Sequence, residues 1–315
     1  MVIAASIEVV LPTYNGVNYL EAQLASIYAQ SLRPWRVLIR DDGSTDGTQE
    51  LIEFLQSTYG SWLQVLPADG NLGCIANVNR LLEATQSSYV ALADQDDIWQ
   101  SDKLKVSLRL LQKLEQKYGA DTALLVHSDL ELVNSEGMLL GCRYFQRQRL
   151  DPLRTSTEDL AFTNVVTGCT ILLNKFLLET ALPIPPFALM HDWWLALSCS
   201  ICGRIGYLDL PTVFYRQHKN NIVGSQGLSL LYFINGLRRL LFRNKSWIHS
   251  LLYQLHALEK RYDRKITDIG ILVSLSRIQR FAVVIKYNHF KSICRHGPIR
   301  TAAFWLSLLI FKDEN

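Results

Sequence analysis

Asp94, Asp96 and Asp97 set three carboxylates within four residues, directly after the apolar run Tyr89–Ala93. Ionised carboxylates this close repel one another unless a cation or a proton lies between them. Oxygen donors of this kind suit a hard divalent ion, Mg2+ or Mn2+, with phosphate oxygens completing its shell. The competing reading is a solvated acidic turn ahead of the next helix. A second acidic turn, Asp41-Asp42-Gly43-Ser44-Thr45-Asp46-Gly47, also follows an apolar run. Another carboxylate, Asp192, stands in Met190-His191-Asp192-Trp193-Trp194, and His218 lies in the polar loop Arg216-Gln217-His218-Lys219-Asn220-Asn221. That loop is rich in side chains able to meet phosphate or metal.

The elements that must position these groups follow from the hydrophobic pattern. Strands are predicted over 7–11, 35–40, 63–66 and 89–93, each bounded by turn residues and each followed by a helical pattern. The first turn is Pro12-Thr13-Tyr14-Asn15-Gly16 and the third helix enters through Asn71-Leu72-Gly73. Strand–helix alternation at this spacing predicts an α/β fold of βαβ units, a predominantly parallel sheet flanked by helices. Ligands bind such sheets at the carboxyl ends of the strands. The turn at Pro12–Tyr14 and the pair Asp41-Asp42 are therefore expected beside the acidic cluster. After a helix over 102–118 the pattern is less regular. Strands are expected over 122–127, 165–167, 169–173, 205–208 and 213–215, with a helix opening at Met190–Trp194.

At 315 residues, 49% apolar and 19% charged, the chain can bury a full globular core. No signal peptide is expected from Met1–Ser6, and no run reaches the roughly 18 apolar residues of a spanning helix. Six cysteines, several within apolar stretches, suggest reduced thiols and a cytoplasmic location. Cys199-x-x-Cys202 has no second pair and reads as helix packing. The net charge of +3 hides a division. Residues 224–315 carry 15 Lys and Arg against 5 Asp and Glu, whereas residues 1–223 are net acidic. Two units are expected: a catalytic domain over 1–223 and a basic, amphipathic helical extension over 224–315. Such helices can lie on an anionic membrane surface, placing the protein on the inner face of the cell membrane. Packing on the catalytic domain or on another subunit is the alternative.

Four motifs in order, Val10-Leu11-Pro12-Thr13-Tyr14-Asn15, Asp41-Asp42-Gly43-Ser44-Thr45-Asp46, Asn71-x-Gly73 and Asp94-Gln95-Asp96-Asp97, resemble those of glycosyltransferase family 2. The form Ala93–Trp99, with His191–Trp194 later, is similar to bacterial rhamnosyltransferase-like members. The resemblance covers roughly residues 5–220. It implies a GT-A fold and an inverting, metal-dependent transfer from a nucleotide sugar, with dTDP-rhamnose or a UDP-sugar as donor. It implies a glycan or lipid-linked glycan as acceptor, and no nucleic acid partner. By the same resemblance Pro12, Thr13 and Tyr14 border the nucleobase and Asp42 accepts from the pyrimidine ring nitrogen. Asp94 lies near the ribose, Asp96 binds the metal, with Asp97 a weaker ligand candidate, and Asp192 is the catalytic base, with His191 in support. Asn71 and Gly73 either touch the nucleotide or only shape a turn. His218 either ligates the metal, touches diphosphate or lies on the surface. Trp193 and Trp194 belong either to the core or to an acceptor platform.

The chemistry agrees with these assignments. A pyrimidine N3–H is a donor, so a carboxylate is a suitable partner. A divalent cation stabilises the nucleoside diphosphate as it leaves. A hydroxyl is a poor nucleophile until a positioned carboxylate removes its proton. A phosphohydrolase of the haloacid dehalogenase type also carries a strand ending in Asp-x-Asp, but there the motif ends the first core strand, and here it follows the fourth. A nucleotidyltransferase lacks support because no glycine-rich triphosphate loop follows the first strand. A non-catalytic sugar-nucleotide-binding module is the remaining alternative, against which Asp42, Asp96 and Asp192 stand together.

Overall fold

The computed structural model describes residues 6–68, 70–218 and 250–266. The expectations for the helical stripes between Leu228 and Leu241 and for Ala302–Phe311 fall outside these residues. Strands β1 (Ile7–Thr13), β2 (Arg36–Asp41), β3 (Leu63–Val65) and β4 (Tyr89–Leu92) form a parallel set in the order β3-β2-β1-β4. Helices α1 (Leu20–Tyr28), α2 (Thr48–Tyr59) and α3 (Cys74–Glu83) link them. The sheet continues through β8 (Leu172–Asn174), β6 (Ala123–Val133), β9 (Gly203–Arg216) and β5 (Ile98–Trp99), while β7 (Leu139–Arg143) pairs with β6. The β6–β9 pair is parallel, and β8, β7 and β5 run antiparallel to their neighbours; two short helices, α5 (Tyr144–Gln148) and α6 (Thr157–Leu160), follow β7.

Two apolar layers cover the sheet. One packs Val10, Leu38, Val90 and Leu125 against α3 and against α8 (His191–Cys202). The other packs Val9, Leu11, Val37 and Ile39 with residues of α1, α2 and α4 (Lys103–Tyr118). Strand residues alternate between these layers, as the period of two requires. Trp193 and Trp194 belong to the first layer, and their indole N–H groups donate to the carbonyls of Leu160 and Ala181.

Three expectations are corrected. Residues 165–167 are not a strand, and 169–173 divides into a short turn of 3-10 helix, Gly168–Thr170, followed by β8. The Asn174 side chain marks the end of β8: its Oδ1 accepts from Leu177, capping α7 (Lys175–Ala181), and also from Leu124 of β6. The two short strands expected at 205–208 and 213–215 are one strand, β9. Its register against β6 jumps from Leu208 to Pro211 and then to Val213, so a bulge takes up the polar residues that interrupt the pattern. β5 and β7 were not expected; two residues, or five mostly exposed ones, carry no readable period.

Residues 250–262 form a further helix, α9. Leu251, Leu255 and Leu258 are buried in the α3/α8 layer. Arg261 donates to the carbonyls of Ala181 and Pro183, and Arg264 to Ile201, near the carboxyl ends of α7 and α8. Cations suit such ends, where helix carbonyls lack internal partners. This part of the basic stretch therefore packs on the helices that cover the sheet. Among the described residues, no helix is long and apolar enough to cross a membrane.

Candidate active site

β1, β2 and β4 are parallel, so their carboxyl ends meet at one edge of the sheet. The turn after β1 is held by a residue that the sequence reading passed over, Gln95. Its Oε1 accepts from Thr13 Oγ1 at 2.5 Å and from the Tyr14 N–H at 2.9 Å, and its Nε2 donates to the Tyr14 carbonyl at 3.0 Å. A Cβ on Gly16 would lie 2.3 Å from Gln95 Oε1, so this approach requires glycine. Pro12 is half-buried, Thr13 buried, and the Tyr14 ring is 49% exposed at the edge.

At the end of β2 the two acids have different work. Asp41 closes its own turn, accepting from the N–H groups of Gly43 and Ser44, the Ser44 hydroxyl and Gln49 Nε2. Asp42 reaches the entry to α3. Its Oδ1 accepts from the Leu72 N–H at 2.8 Å and from Arg40 Nη1 at 3.0 Å, and its Oδ2 from the Gly73 N–H at 2.9 Å. Gly73 thus meets Asp42 through its backbone, and Asn71 is exposed on the same loop. Arg40 is buried and also donates to Asn77 Oδ1 and the carbonyls of Pro67 and Gly70. A single donor on Oδ2 leaves that oxygen able to accept again.

The acidic loop crosses from β4 to β5 over the ends of β8 and β6. Asp94 is half-buried; burial, with the charges of Asp96 and Asp192, pushes its pKa up to about 7. Asp96 Oδ2 lies 2.8 Å from His218 Nε2, and the His218 ring stacks on Tyr19 at 4.9 Å. The Arg216 guanidinium lies over the same Tyr19 ring and donates to the Asp96 carbonyl. Asp97 is fully buried, and its Oδ1 accepts from the Arg216 N–H. Burial and its two neighbouring acids drive its pKa well up.

Two places deserve comparison as cation sites. Oxygens of Asp94 and Asp97 and the Cys169 sulfur lie within 4.8 Å of one another. Burial keeps the Cys169 thiol protonated, and a thiol is a poor donor for a hard ion. Asp96 and His218 instead pair carboxylate oxygen with imidazole nitrogen, a donor set that suits Mn2+ and leaves room for diphosphate oxygens.

Asp192 stands in the first turn of α8. Its Oδ2 accepts from the Gly168 N–H at 3.0 Å and its Oδ1 from the Trp193 N–H at 2.6 Å. A Cβ on Gly168 would lie 3.0 Å from His191 Nε2, so glycine makes space for the His191-Asp192 pair. Desolvation outweighs these hydrogen bonds and raises the Asp192 pKa, while burial lowers that of His191. Cys74, at the start of α3, is the geometric link between the groups. Its thiol is pushed up to about 12 by burial and by the charges of Asp94, Asp192 and Asp42, and its sulfur lies 3.9 Å from His191 Nδ1. The chain thus brings together the β1 turn, Asp42, the acidic loop, His218 and Asp192 around one cleft. Sequence reasoning missed the parts played by Gln95, Arg40 and Tyr19, and named Arg216 only as a member of the polar loop. Of the first three only Gln95 carried a signal, its place inside the acidic motif.

A parallel α/β sheet whose carboxyl edge gathers these acids defines a nucleotide-sugar transferase of the GT-A type. A model of the family described as Glycosyl transferase family 2 matches residues 8–173, and the chain belongs to that family. It is 30% identical over 231 residues to the dTDP-rhamnosyl transferase RfbG of Shigella flexneri, covering 68% of this chain and 74% of the relative. It is 24% identical over 195 residues to the UDP-Glc:alpha-D-GlcNAc-diphosphoundecaprenol beta-1,3-glucosyltransferase WfgD of Escherichia coli, covering 61% of this chain and 68% of that protein. Among solved structures it resembles the mannosyltransferase PcManGT from Pyrobaculum calidifontis in complex with GDP-Man and Mn2+. There the TM-score is 0.53 at 17% identity, over 96% of this chain and 84% of the other. The protein is a glycosyltransferase.

Proposed function

We propose that the protein transfers a sugar, with rhamnose the favoured choice, from a nucleotide donor to a glycan or lipid-linked glycan in bacterial surface polysaccharide synthesis, with inversion at the transferred carbon. The observation that carries this reading is the convergence of Asp42, Asp94, Asp96, His218 and Asp192 on one edge of the sheet. Likeness to a dTDP-rhamnosyl transferase supports the donor, and likeness to a transferase acting on a diphosphoundecaprenol-linked sugar supports the acceptor class.

In this reading the base lies against Tyr14 and donates its ring N–H to Asp42 Oδ2. Asp94 faces the ribose. Asp96 and His218 hold Mg2+ or Mn2+, which when bound neutralises charge on the departing diphosphate. Asp192 takes the proton of the acceptor hydroxyl as the glycosidic bond forms. Its raised pKa makes it a stronger base than an exposed aspartate, and the Gly168 and Trp193 N–H groups hold it in place. The decisive measurement is a thermal-shift screen of dTDP-rhamnose, UDP-sugars and GDP-mannose with and without Mn2+. The preferred donor raises the melting temperature with Mn2+ only. No shift with any nucleotide sugar, together with turnover of a phosphomonoester, would replace transfer by phosphate hydrolysis.

Membrane attachment through the basic extension belongs to the same proposal, as does a place on the cytoplasmic face. Because α9 packs on the catalytic domain, removing everything after Gly224 would uncover core leucines. The test therefore replaces Arg277, Arg280, Lys286, Lys291 and Arg295 by Gln and measures co-sedimentation with anionic vesicles. Undiminished binding overturns the basic-tail reading.

A further inference from the structure

A cavity of about 530 Å3 opens beside β6 and β9, apart from the donor cleft. Asp129, Arg143, Phe145, Gln146, Tyr207 and Asp209 form most of its wall. Leu125, His127 and Asp129 share one face of β6 by the period of two. Leu125 packs in the layer that holds Phe145, Trp193 and Trp194, so the cavity lies on the face of the sheet covered by α8, the helix that carries Asp192.

Asp129 is 4% exposed. Its Oδ1 accepts from the N–H groups of Leu130 at 2.8 Å and Phe145 at 3.3 Å, and its Oδ2 has no hydrogen-bond partner among the described residues. This oxygen lines the open cavity, where a ligand hydroxyl can donate to it in place of water. His127, against the Tyr207 ring at 5.2 Å, is kept neutral by burial, which pushes its pKa down to about 3. Arg143 already pairs with Asp209 at 3.3 Å, and the Tyr207 hydroxyl donates to the same Asp209 oxygen at 3.4 Å. Gln146 offers an exposed amide.

The chemistry of this wall selects its ligand. Asp129, Asp151 and Asp209 outnumber the single Arg143, so phosphate or a carboxylate is repelled. A divalent cation wants six or more oxygens and would sit against the Arg143 guanidinium. A neutral polyol satisfies every group: hydroxyl donors for Asp129 Oδ2 and Asp209, acceptor oxygens for Arg143 and Gln146, and C–H faces for the ring of Tyr207. We propose that this cavity is a carbohydrate subsite that holds a sugar unit of the acceptor glycan away from the transfer centre, with a ring hydroxyl donating to Asp129 Oδ2. The proposal rests on the glycan-acceptor reading above.

The test is saturation-transfer NMR with methyl α-rhamnoside, N-acetylglucosamine and glucose at millimolar concentration. Mg2+, which is diamagnetic, is added with dTDP or UDP to fill the donor cleft, and nucleotide signals are recorded in the same samples. At least one sugar should show transfer. Asp129→Asn keeps an oxygen for Leu130 and Phe145 but turns the free oxygen into an NH2 donor, and it should cut that signal at least fivefold. Gln146→Ala, at an exposed position that cannot unfold the chain, should weaken it at least twofold. Nucleotide signals should be unchanged in both variants. Equal sugar signals in wild type and both variants, or no sugar signal while the nucleotide binds, overturn the subsite and leave the transferase reading intact. Loss of nucleotide binding with the sugar signal retained and sensitive to Asp129→Asn would overturn the donor cleft and support the subsite.

Discussion

Replacing Asp42 by Ala separates the two tasks assigned to that carboxylate, holding the loop and receiving the nucleobase. Asp42 and Arg40 form an ion pair whose side chains are 5% and 2% exposed. Breaking a buried pair from one side costs about 3–5 kcal/mol, because the other charge is left without its counter-ion. Here Arg40 keeps the carbonyls of Pro67 and Gly70 and the Asn77 Oδ1, which moves the expectation to the lower end. The N–H groups of Leu72 and Gly73 lose their acceptor too, but Leu72 is 39% exposed and water can replace it. The expected loss is therefore about 3 kcal/mol. For a domain of this size that lowers Tm by about 6–12 °C. Asp42→Asn retains a carbonyl oxygen for Arg40 and Leu72 and should lose only about 1–2 kcal/mol. It nonetheless aims an NH2 group where the pyrimidine N–H must donate, so both variants should lose stabilisation by UDP or dTDP with Mn2+. Urea unfolding followed by circular dichroism gives the first quantity and thermal shift the second. A loss under 1 kcal/mol for Asp42→Ala would show that the pair does not hold the α3 entry, and an undiminished nucleotide shift would remove Asp42 from the base site.

Asp192→Asn should leave donor affinity within about twofold and lower kcat by at least 100-fold, the size expected of a general base; transfer at the normal rate in a steady-state assay refutes the role. Because burial raises the Asp192 pKa, the acidic limb of kcat against pH should lie above the pH near 4 of an ordinary aspartate, with activity rising as the carboxylate ionises; a limb at or below 4 contradicts the desolvated site. Asp94 binds its proton more tightly folded than unfolded, at a pKa of about 7 against about 3.9. Its contribution to stability is thus full below pH 4 and lost as pH rises through 7. The metal-free protein should melt lower at pH 8 than at pH 5.5, Mn2+ with UDP should narrow the gap, and equal melting temperatures would show that Asp94 is ionised without strain. His218→Ala should weaken Mn2+-dependent nucleotide binding at least tenfold by calorimetry, with Asp96→Ala at least as severe; unchanged binding would leave His218 as a partner of Tyr19 and Asp96 alone.

The local sequence determined the parallel half of the sheet and most of the acids at its edge. Long apolar runs ending in Pro12–Tyr14, Asp41-Asp42 and Asp94–Asp97 are signals contained within a few residues, and parallel pairing then forces their ends to one side. The division of labour between Asp41 and Asp42 was not local. One caps its own turn and the other reaches Leu72 and Gly73, thirty positions away, because of where α3 enters. The contacts of Gln95, Arg40, Tyr19 and Arg216 were hidden for the same reason, since each acts through a partner brought close only by sheet order. The β6–β9 half was least legible. Its bulge, its two-residue strand β5 and the exposed β7 depend on pairing energy across the sheet rather than on any period within the strand. The fate of the basic helix α9 was likewise tertiary. Leu251, Leu255 and Leu258 form an apolar stripe that would suit a membrane equally well, and only the exposed apolar surface of α3 and α8 decided where it packs.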